Sequence, residues 1–174
     1  MKVNSIIMSV MVGLGIGSQP IVGYNYGARN FKRVKETYLK TIVIGLAVGV
    51  VGWACFQLFT QQIVNLFGQE SELYNEFALK CFHIFLAVIF LIGFIIPSGI
   101  FFQSIGKPTK AMICTLTRQL IYFLPAAFIL GHIMGIDGLL YAGPLGDILA
   151  AITVAILAAG ELRLLNRGIN SSNV

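Results

Sequence analysis

The chain has 174 residues, of which 57% are hydrophobic and only 11% are charged, and its formal net charge is +5. Soluble domains carry about 25% charged residues, so this composition leaves too little polar surface to cover the apolar material in water. The positive charge does not indicate a nucleic-acid binder, because the basic residues lie between long apolar runs. We therefore expect a membrane protein whose partner is the lipid bilayer and not nucleic acid.

Five apolar runs are long enough to cross a bilayer, whose hydrocarbon core takes about 20 residues of helix. They cover residues 3–22, 41–59, 81–102, 111–133 and 138–160. None of the runs alternates between lipid-facing and lumen-facing residues as a barrel strand does, and each is apolar on every side. The sequence therefore predicts an all-α membrane protein with five transmembrane helices.

The first run ends in an abrupt change of character within "QPIVGYNYGARNFKRVK", residues 19–35. Gln19 and Pro20 are expected to interrupt the helix, because proline frees a carbonyl that then needs another partner. Such a break fits either a cavity wall or a helix contact near the interface. Basic residues then follow from Arg29 to Lys35, as expected where a helix leaves the membrane on the cytoplasmic side.

Lysine and arginine positions predict the orientation of the helices. When the first loop is placed in the cytoplasm, only Lys2 and Lys80 lie outside, against ten basic residues inside. Those ten are Arg29, Lys32, Arg33, Lys35, Lys40, Lys107, Lys110, Arg118, Arg163 and Arg167. By the positive-inside rule, we expect Met1 outside the cell and Val174 in the cytoplasm.

Glycines and prolines within the runs predict close helix contacts and hinges. Gly45 and Gly49 form one GxxxG pattern, which indicates a helix contact. Four glycines of the first run predict further close approaches: Gly13, Gly15, Gly17 and Gly23. Pro97 and Pro125 lie inside spans and, like Pro20, are predicted helix breaks or hinges.

Two charged residues, Arg118 and Asp147, lie inside the fourth and fifth runs. Counted from the ends of those runs, Arg118 lies about 10 Å and Asp147 about 13 Å inside the hydrocarbon core, at 1.5 Å of rise per residue. The short connection makes the two helices antiparallel neighbours. We expect the side chains to approach each other, because pairing lowers the cost of burying both charges. In the competing arrangement Arg118 turns toward the cytoplasm and Asp147 alone meets a cationic substrate.

The candidate cavity or substrate site is assigned to five residues, Asp147, Gln19, Asn25, Arg118 and Gln119. A carboxyl at membrane depth faces the bundle interior or a water-filled cavity. The amides are able to hydrogen-bond a substrate, and bonds between helices are their alternative role.

Motifs of enzymes and metal sites are missing from the sequence. It contains no HExxH, no phosphate-binding loop and no GxSxG. Its three cysteines, Cys55, Cys81 and Cys114, show no CxxC spacing. We therefore expect no enzyme, no catalytic residues, no cofactor and no metal.

Three stretches together resemble the multidrug and toxic compound extrusion (MATE) family, especially its MepA-like bacterial branch. Besides residues 19–35, they are "SIGKPTKAMICTLTRQLIYFLPAAFIL" at residues 104–130 and "GIDGLLYAGPLGDILAAI" at residues 135–152. The resemblance implies that the five helices correspond to the eighth to twelfth of a twelve-helix fold. Residues 1–168 would then form the C-terminal lobe without its first helix, and residues 169–174 a polar cytoplasmic tail.

The same resemblance implies a function. Members export small cationic or amphipathic drugs by alternating access between two lobes, driven by inward flow of protons or sodium ions. For this chain it implies part of such an efflux antiporter in a bacterial inner membrane, incomplete without the N-terminal lobe. Two alternatives remain open: a non-transporting membrane fragment or partner helix bundle, and a flippase of lipid-linked substrates with a related fold.

Overall fold

The computed structural model describes residues 2–58, 84 and 88–171. Residues 81–83 and 85–87 of the predicted third span lie outside this described part, as do residues 172–174 of the predicted tail. Within it the chain is helical apart from short turns, and it forms no strand.

Five helical rods make up the described part of the chain. Their elements are α1 (Lys2–Gly27), α2 (Phe31–Leu58), a 3₁₀ turn (Ile89–Leu91) leading into α3 (Ile92–Ser104), α4 (Pro108–Leu116) continued by a π-helical segment (Thr117–Phe123) and α5 (Leu124–Met134), and α6 (Ile136–Ser171). Among the described residues, four stretches are long and apolar enough to cross a membrane: Ser5–Gly27, Phe31–Cys55, Pro108–Met134 and Asp137–Asn170. The predicted all-α membrane fold with five helices is confirmed.

Helix ends differ from the hydrophobic boundaries. The helix α2 begins at Phe31 and not at residue 41, so most of the basic cluster lies on its first turns. Arg29, two residues after the end of α1, has a left-handed φ of 58°, and the Asn30 side chain accepts a hydrogen bond from the Arg33 N–H at 3.3 Å. Hydropathy marks the part of a helix in lipid, whereas helical hydrogen bonding continues into the interface until a cap ends it. For the same reason α6 continues to Ser171.

Prolines alter the helices less than the sequence suggests. The helices α1 and α3 continue through Pro20 and Pro97, so no break is found at either position. The irregular geometry instead precedes Pro125, where the π-helical segment runs into α5. In a π-helical turn, a backbone carbonyl accepts a hydrogen bond from the N–H five residues later. This pattern suits the Ile121 carbonyl, because the residue four positions later is Pro125, which has no N–H. A hinge role for the three prolines stays a prediction.

The contact between α2 and α3 depends on glycine. A Cβ atom added to Gly45 would overlap the carbonyl oxygen of Gly93, and one added to Gly93 would overlap that of Gly45. A Cβ on Gly49 would lie 3.0 Å from the Phe90 Cα. The helix contact predicted from GxxxG is therefore confirmed.

The glycines of α1 behave unequally. Gly23 lies near the Ser104 carbonyl, 3.5 Å from the position of an added Cβ, and Gly15 faces the flexible Ile100 side chain. At Gly13 and Gly17, no described atom lies within 4 Å of that position. Within the described part no close approach is found at these two positions, so for them it stays a prediction.

Replacing Gly93 by alanine is expected to lower the free energy of unfolding by about 2 kcal/mol, within the usual range for overpacking. The new methyl group would force α2 and α3 apart. Gly99→Ala is the matched control on the same helix, because no described atom lies within 4 Å of its Cβ position. The thermal midpoint in detergent micelles is the measurement, and equal midpoints for the two variants would contradict the close contact.

Polar side chains also join the rods inside the bundle. The Tyr38 hydroxyl and the Ser98 Oγ, which link α2 and α3, are buried and 2.9 Å apart. The Tyr122 hydroxyl lies 2.8 Å from the Thr153 Oγ1 of α6. Such bonds fix helix register in a medium where water offers no alternative partner. Large apolar side chains such as Phe128 are exposed instead on the outside, where lipid accepts them.

Candidate functional site

A cavity of about 410 Å³ lies between α1, α3, α4 and the π-helical segment. Its volume falls in the range of about 300 to 1,000 Å³ that is typical of small-molecule sites. The lining residues are Val12, Ile16, Gln19, Ile95, Ile96, Gly99, Ile100, Gln103, Cys114, Thr115, Arg118 and Gln119. The wall is therefore mostly apolar, with a few polar groups and one charged side chain among the described residues.

Helical spacing explains why these side chains meet. On α1, Val12, Ile16 and Gln19 follow one another at four and three residues, so they occupy one face of the helix. On α3, Gly99 leaves room between its neighbours, since it contributes no side chain. The π-helical segment adds Arg118 and Gln119, and such segments change the direction in which the side chains around them point.

Arg118 of the π-helical segment forms an ion pair with Asp147 of α6. The Arg118 Nε donates a hydrogen bond to the Asp147 Oδ1 at 2.7 Å, and the two side chains are 22% and 14% exposed. The predicted approach of these residues is confirmed. The competing arrangement, with Asp147 alone in the cavity, is wrong because the π-helical segment that carries Arg118 packs against α6 and brings the charges together. Arg118 lines the cavity, whereas Asp147 is not among the lining residues.

The other assigned site residues separate into two groups. Gln19 and Gln119 line the cavity with Arg118. Asn25 does not: it lies further along α1, and its Nδ2 donates to the Ile21 carbonyl at 2.8 Å. A local bond of this kind uses the amide within its own helix. A substrate contact by Asn25 stays a prediction that this arrangement does not favour.

A second charged cluster was missed by the sequence reasoning. Glu161 of α6 is 1% exposed and pairs with Lys107 and Lys110, with 2.7 Å between the Lys110 Nζ and its Oε2. Glu161 lies just past the predicted end of the fifth run at residue 160. Helical spacing was the available signal, because Glu161 falls in register with the buried Val154 and Leu165.

The described residues contain no group of three or more histidine, cysteine, aspartate or glutamate side chains that could hold a metal ion. The polar groups at the cavity are amides, a hydroxyl, a guanidinium and the Cys114 thiol. They suit reversible binding of an organic molecule by hydrogen bonds and charge.

A model of the MatE family matches residues 1–129. The chain belongs to the MatE family. The resemblance inferred from three sequence stretches is thus confirmed, and the family is one of transporters and not of enzymes. Membership and the apolar helices together make the MatE chain a multi-pass membrane protein.

Curated relatives agree with this family. The MatE chain is 23% identical over 161 residues to the FAD transporter of Shewanella oneidensis, covering 90% of the chain and 34% of that protein. It is 29% identical over 86 residues to the probable multidrug resistance protein YoeA of Bacillus subtilis, covering 49% of the chain and 19% of YoeA. The MatE chain thus spans about a third or less of the length of these relatives.

Solved structures share the fold of the MatE chain. It aligns with an inward-facing multidrug resistance MATE transporter at a TM-score of 0.87 and 21% identity, covering 95% of the chain and 39% of that structure. With an outward-facing MATE transporter the TM-score is 0.86 at 23% identity, covering 95% and 37%.

Proposed function

We propose that the chain forms most of the C-terminal lobe of a membrane exporter of amphipathic organic compounds. Its five rods would be the eighth to twelfth helices of a twelve-helix transporter, with residues 1–168 as the lobe. The observation that carries this proposal is the cavity of about 410 Å³ with polar groups and one arginine inside an apolar helix bundle. Ionisable residues at membrane depth are typical of substrate or ion pathways.

The proposed mechanism is alternating access, with inward flow of protons or sodium ions driving export. Its support is that the fold aligns about equally well with an inward-facing and an outward-facing transporter. A lobe with one internal structure in both states moves as a rigid body, and the substrate path opens and closes between it and a second lobe. The chain therefore requires a further lobe for transport.

Dye export in bacterial cells tests this function. We expect no export from the chain alone, and export from a fusion in which it replaces the matched 161 residues of the Shewanella FAD transporter. Fluorescein and rhodamine 123 are suitable dyes, since they share a xanthene ring and differ in charge. Export of either dye, measured as at least twofold lower accumulation, supports the proposal.

Two controls identify the ion that drives export and test the alternative of a non-transporting helix bundle. A protonophore abolishes export if protons drive it, and sodium-free medium does so if sodium drives it. A fusion that reaches the membrane in normal amounts but exports neither dye would contradict the proposal and favour a non-transporting helix bundle.

We further propose an orientation in a bacterial inner membrane with Met1 outside and Val174 in the cytoplasm. Cysteine labelling tests it in a variant without the native cysteines. A cysteine at Asn30, in the turn between α1 and α2, is expected to react with a membrane-impermeant maleimide only after the membrane is opened.

The matched control is a cysteine at Met134, which is exposed at the end of α5 on the opposite side. It should react in intact cells. Labelling of position 30 in intact cells would reverse the proposed orientation.

A further inference from the structure

The charge that the cavity presents is positive. Arg118 is the one charged side chain among its described lining residues, and no aspartate or glutamate is among them. Asp147, the acidic partner, is not a lining residue and accepts a hydrogen bond from the Arg118 Nε at 2.7 Å. A positively charged molecule entering the cavity would therefore meet a guanidinium before it could reach a carboxylate.

The ion pair uses one of the five N–H donors of the guanidinium. Arg118 bonds Asp147 through Nε, and within the described residues no hydrogen bond of its two terminal nitrogens is found. A guanidinium has five N–H donors in a planar fork, of which Nε supplies one. The bond to Asp147 orients this fork, so the terminal nitrogens are arranged in advance for a bidentate contact with a carboxylate, sulfonate or phosphate.

The neighbouring side chains fit the rest of such a molecule. Gln19, Gln103 and Gln119 carry amide donors at the cavity wall, and Thr115 carries a hydroxyl. The remaining wall is largely isoleucine and valine, which suits an apolar ring system. The pocket thus combines one anion-binding group, several neutral donors and an apolar surface.

We infer that the cavity binds amphipathic organic anions and that Arg118 contacts their negatively charged group. This inference rests on the proposed export function and specifies the substrate class of the same cavity. Asp147 is a positioning residue, because it holds the guanidinium without touching the ligand. The organic cation expected from the sequence would require the opposite arrangement, with the carboxylate at the cavity wall.

Binding of two dyes to the purified full chain in phosphatidylcholine nanodiscs tests the inference. Fluorescein is the anionic probe and rhodamine 123 the cationic one, and fluorescence anisotropy measures both affinities. We expect fluorescein to bind at least about tenfold more tightly than rhodamine 123. Arg118→Gln should weaken fluorescein binding by about 10- to 100-fold, the usual loss when a hydrogen bond to a charged group is removed, and should not weaken rhodamine binding.

Three further variants keep the result interpretable. Arg118→Lys retains the charge without the fork and should give an intermediate fluorescein affinity. The double variant R118Q/D147N avoids an unpaired buried carboxylate, so it should fold and still lack tight fluorescein binding. Arg33→Gln removes an exposed arginine of α2 that does not line the cavity, and it should leave fluorescein binding unchanged.

Two results would overturn the inference. One is a fluorescein affinity that is the same in the native chain, R118Q and R118Q/D147N. The other is tighter binding of rhodamine 123 that disappears in Asp147→Asn, which would indicate a cation site at the carboxylate. Neither result would contradict the export function, because that proposal is supported by export of either dye.

Discussion

Replacing Lys107 and Lys110 together by methionine is expected to lower the free energy of unfolding by about 4 kcal/mol, since this strands a buried charge. Both lysines pair with Glu161, which is 1% exposed, whereas the lysines themselves are 31% exposed. The substitution would leave a carboxylate without a counter-ion inside the bundle. For a chain of this size the thermal midpoint in detergent micelles should fall by on the order of 10 °C.

A third substitution shows whether charge causes the loss. In K107M/K110M/E161Q the buried carboxylate is gone as well, so most of the lost stability should return. The control is K32M/K40M, two exposed lysines of α2 whose loss should hardly change the midpoint. An equally low midpoint for the triple variant would mean that packing, and not the charge of Glu161, holds α4 against α6.

The position of Lys107 and Lys110 at the start of α4 explains why they need an acidic partner. Lys107 precedes Pro108, and Lys110 lies in the first turn of α4. Basic residues are unfavourable at a helix amino terminus, where the backbone dipole is already positive. The carboxylate of Glu161, supplied by α6, offsets both lysines and the dipole at one point. Ordered contact between the two helices is the result.

Arg118→Ala is expected to lower the free energy of unfolding by about 3 kcal/mol, because it leaves Asp147 buried without its partner. The pair is 2.7 Å apart in a part of the bundle where the Asp147 side chain is only 14% exposed. In R118A/D147N the unpaired charge is removed, so stability should partly recover. The thermal midpoints of Arg118→Ala, Asp147→Asn and the double variant then give the coupling energy between the two charges, expected at about 1 to 3 kcal/mol.

Gln119→Ala is the matched control for this cycle. Gln119 is the next residue along the π-helical segment and lines the same cavity, but no ion pair involves it. Its replacement should cost far less stability than Arg118→Ala. A double variant R118A/D147N that is as unstable as Arg118→Ala would remove the coupling between the two charges.

Much of the membrane architecture was predictable from the sequence, because in lipid the free energy of inserting a helix depends mainly on the residues of that helix. An apolar run of about 20 residues satisfies its own backbone as a helix, whatever its neighbours are. A charge inside such a run is costly wherever it lies, so Arg118 and Asp147 could each be predicted as candidate site residues without knowledge of the other. Their pairing followed from depth and from the short connection between their helices. The Gly45 contact followed in the same way from a residue with no side chain.

Helix ends and side-chain directions were less predictable. The start of α2 at Phe31 depends on the Asn30 cap, which hydropathy does not measure. Asn25 was assigned to the site as an amide able to hydrogen-bond a substrate, but it donates to the Ile21 carbonyl of its own helix. The contribution of Thr115 to the cavity wall depends on how α4 is rotated against α1 and α3, and packing sets that rotation.

The membrane class, the helical rods and the two charges inside them were predictable from local sequence, since each follows from the transfer free energy of nearby residues. The pairing of Glu161 with Lys107 and Lys110 joins residues 54 and 51 positions apart, and no local signal specifies that partner. Helix packing, which no local pattern specifies, makes Arg118 and not Asp147 a lining residue of the cavity. The physical reason is that the sign of a cavity's charge depends on which member of an ion pair faces the open space.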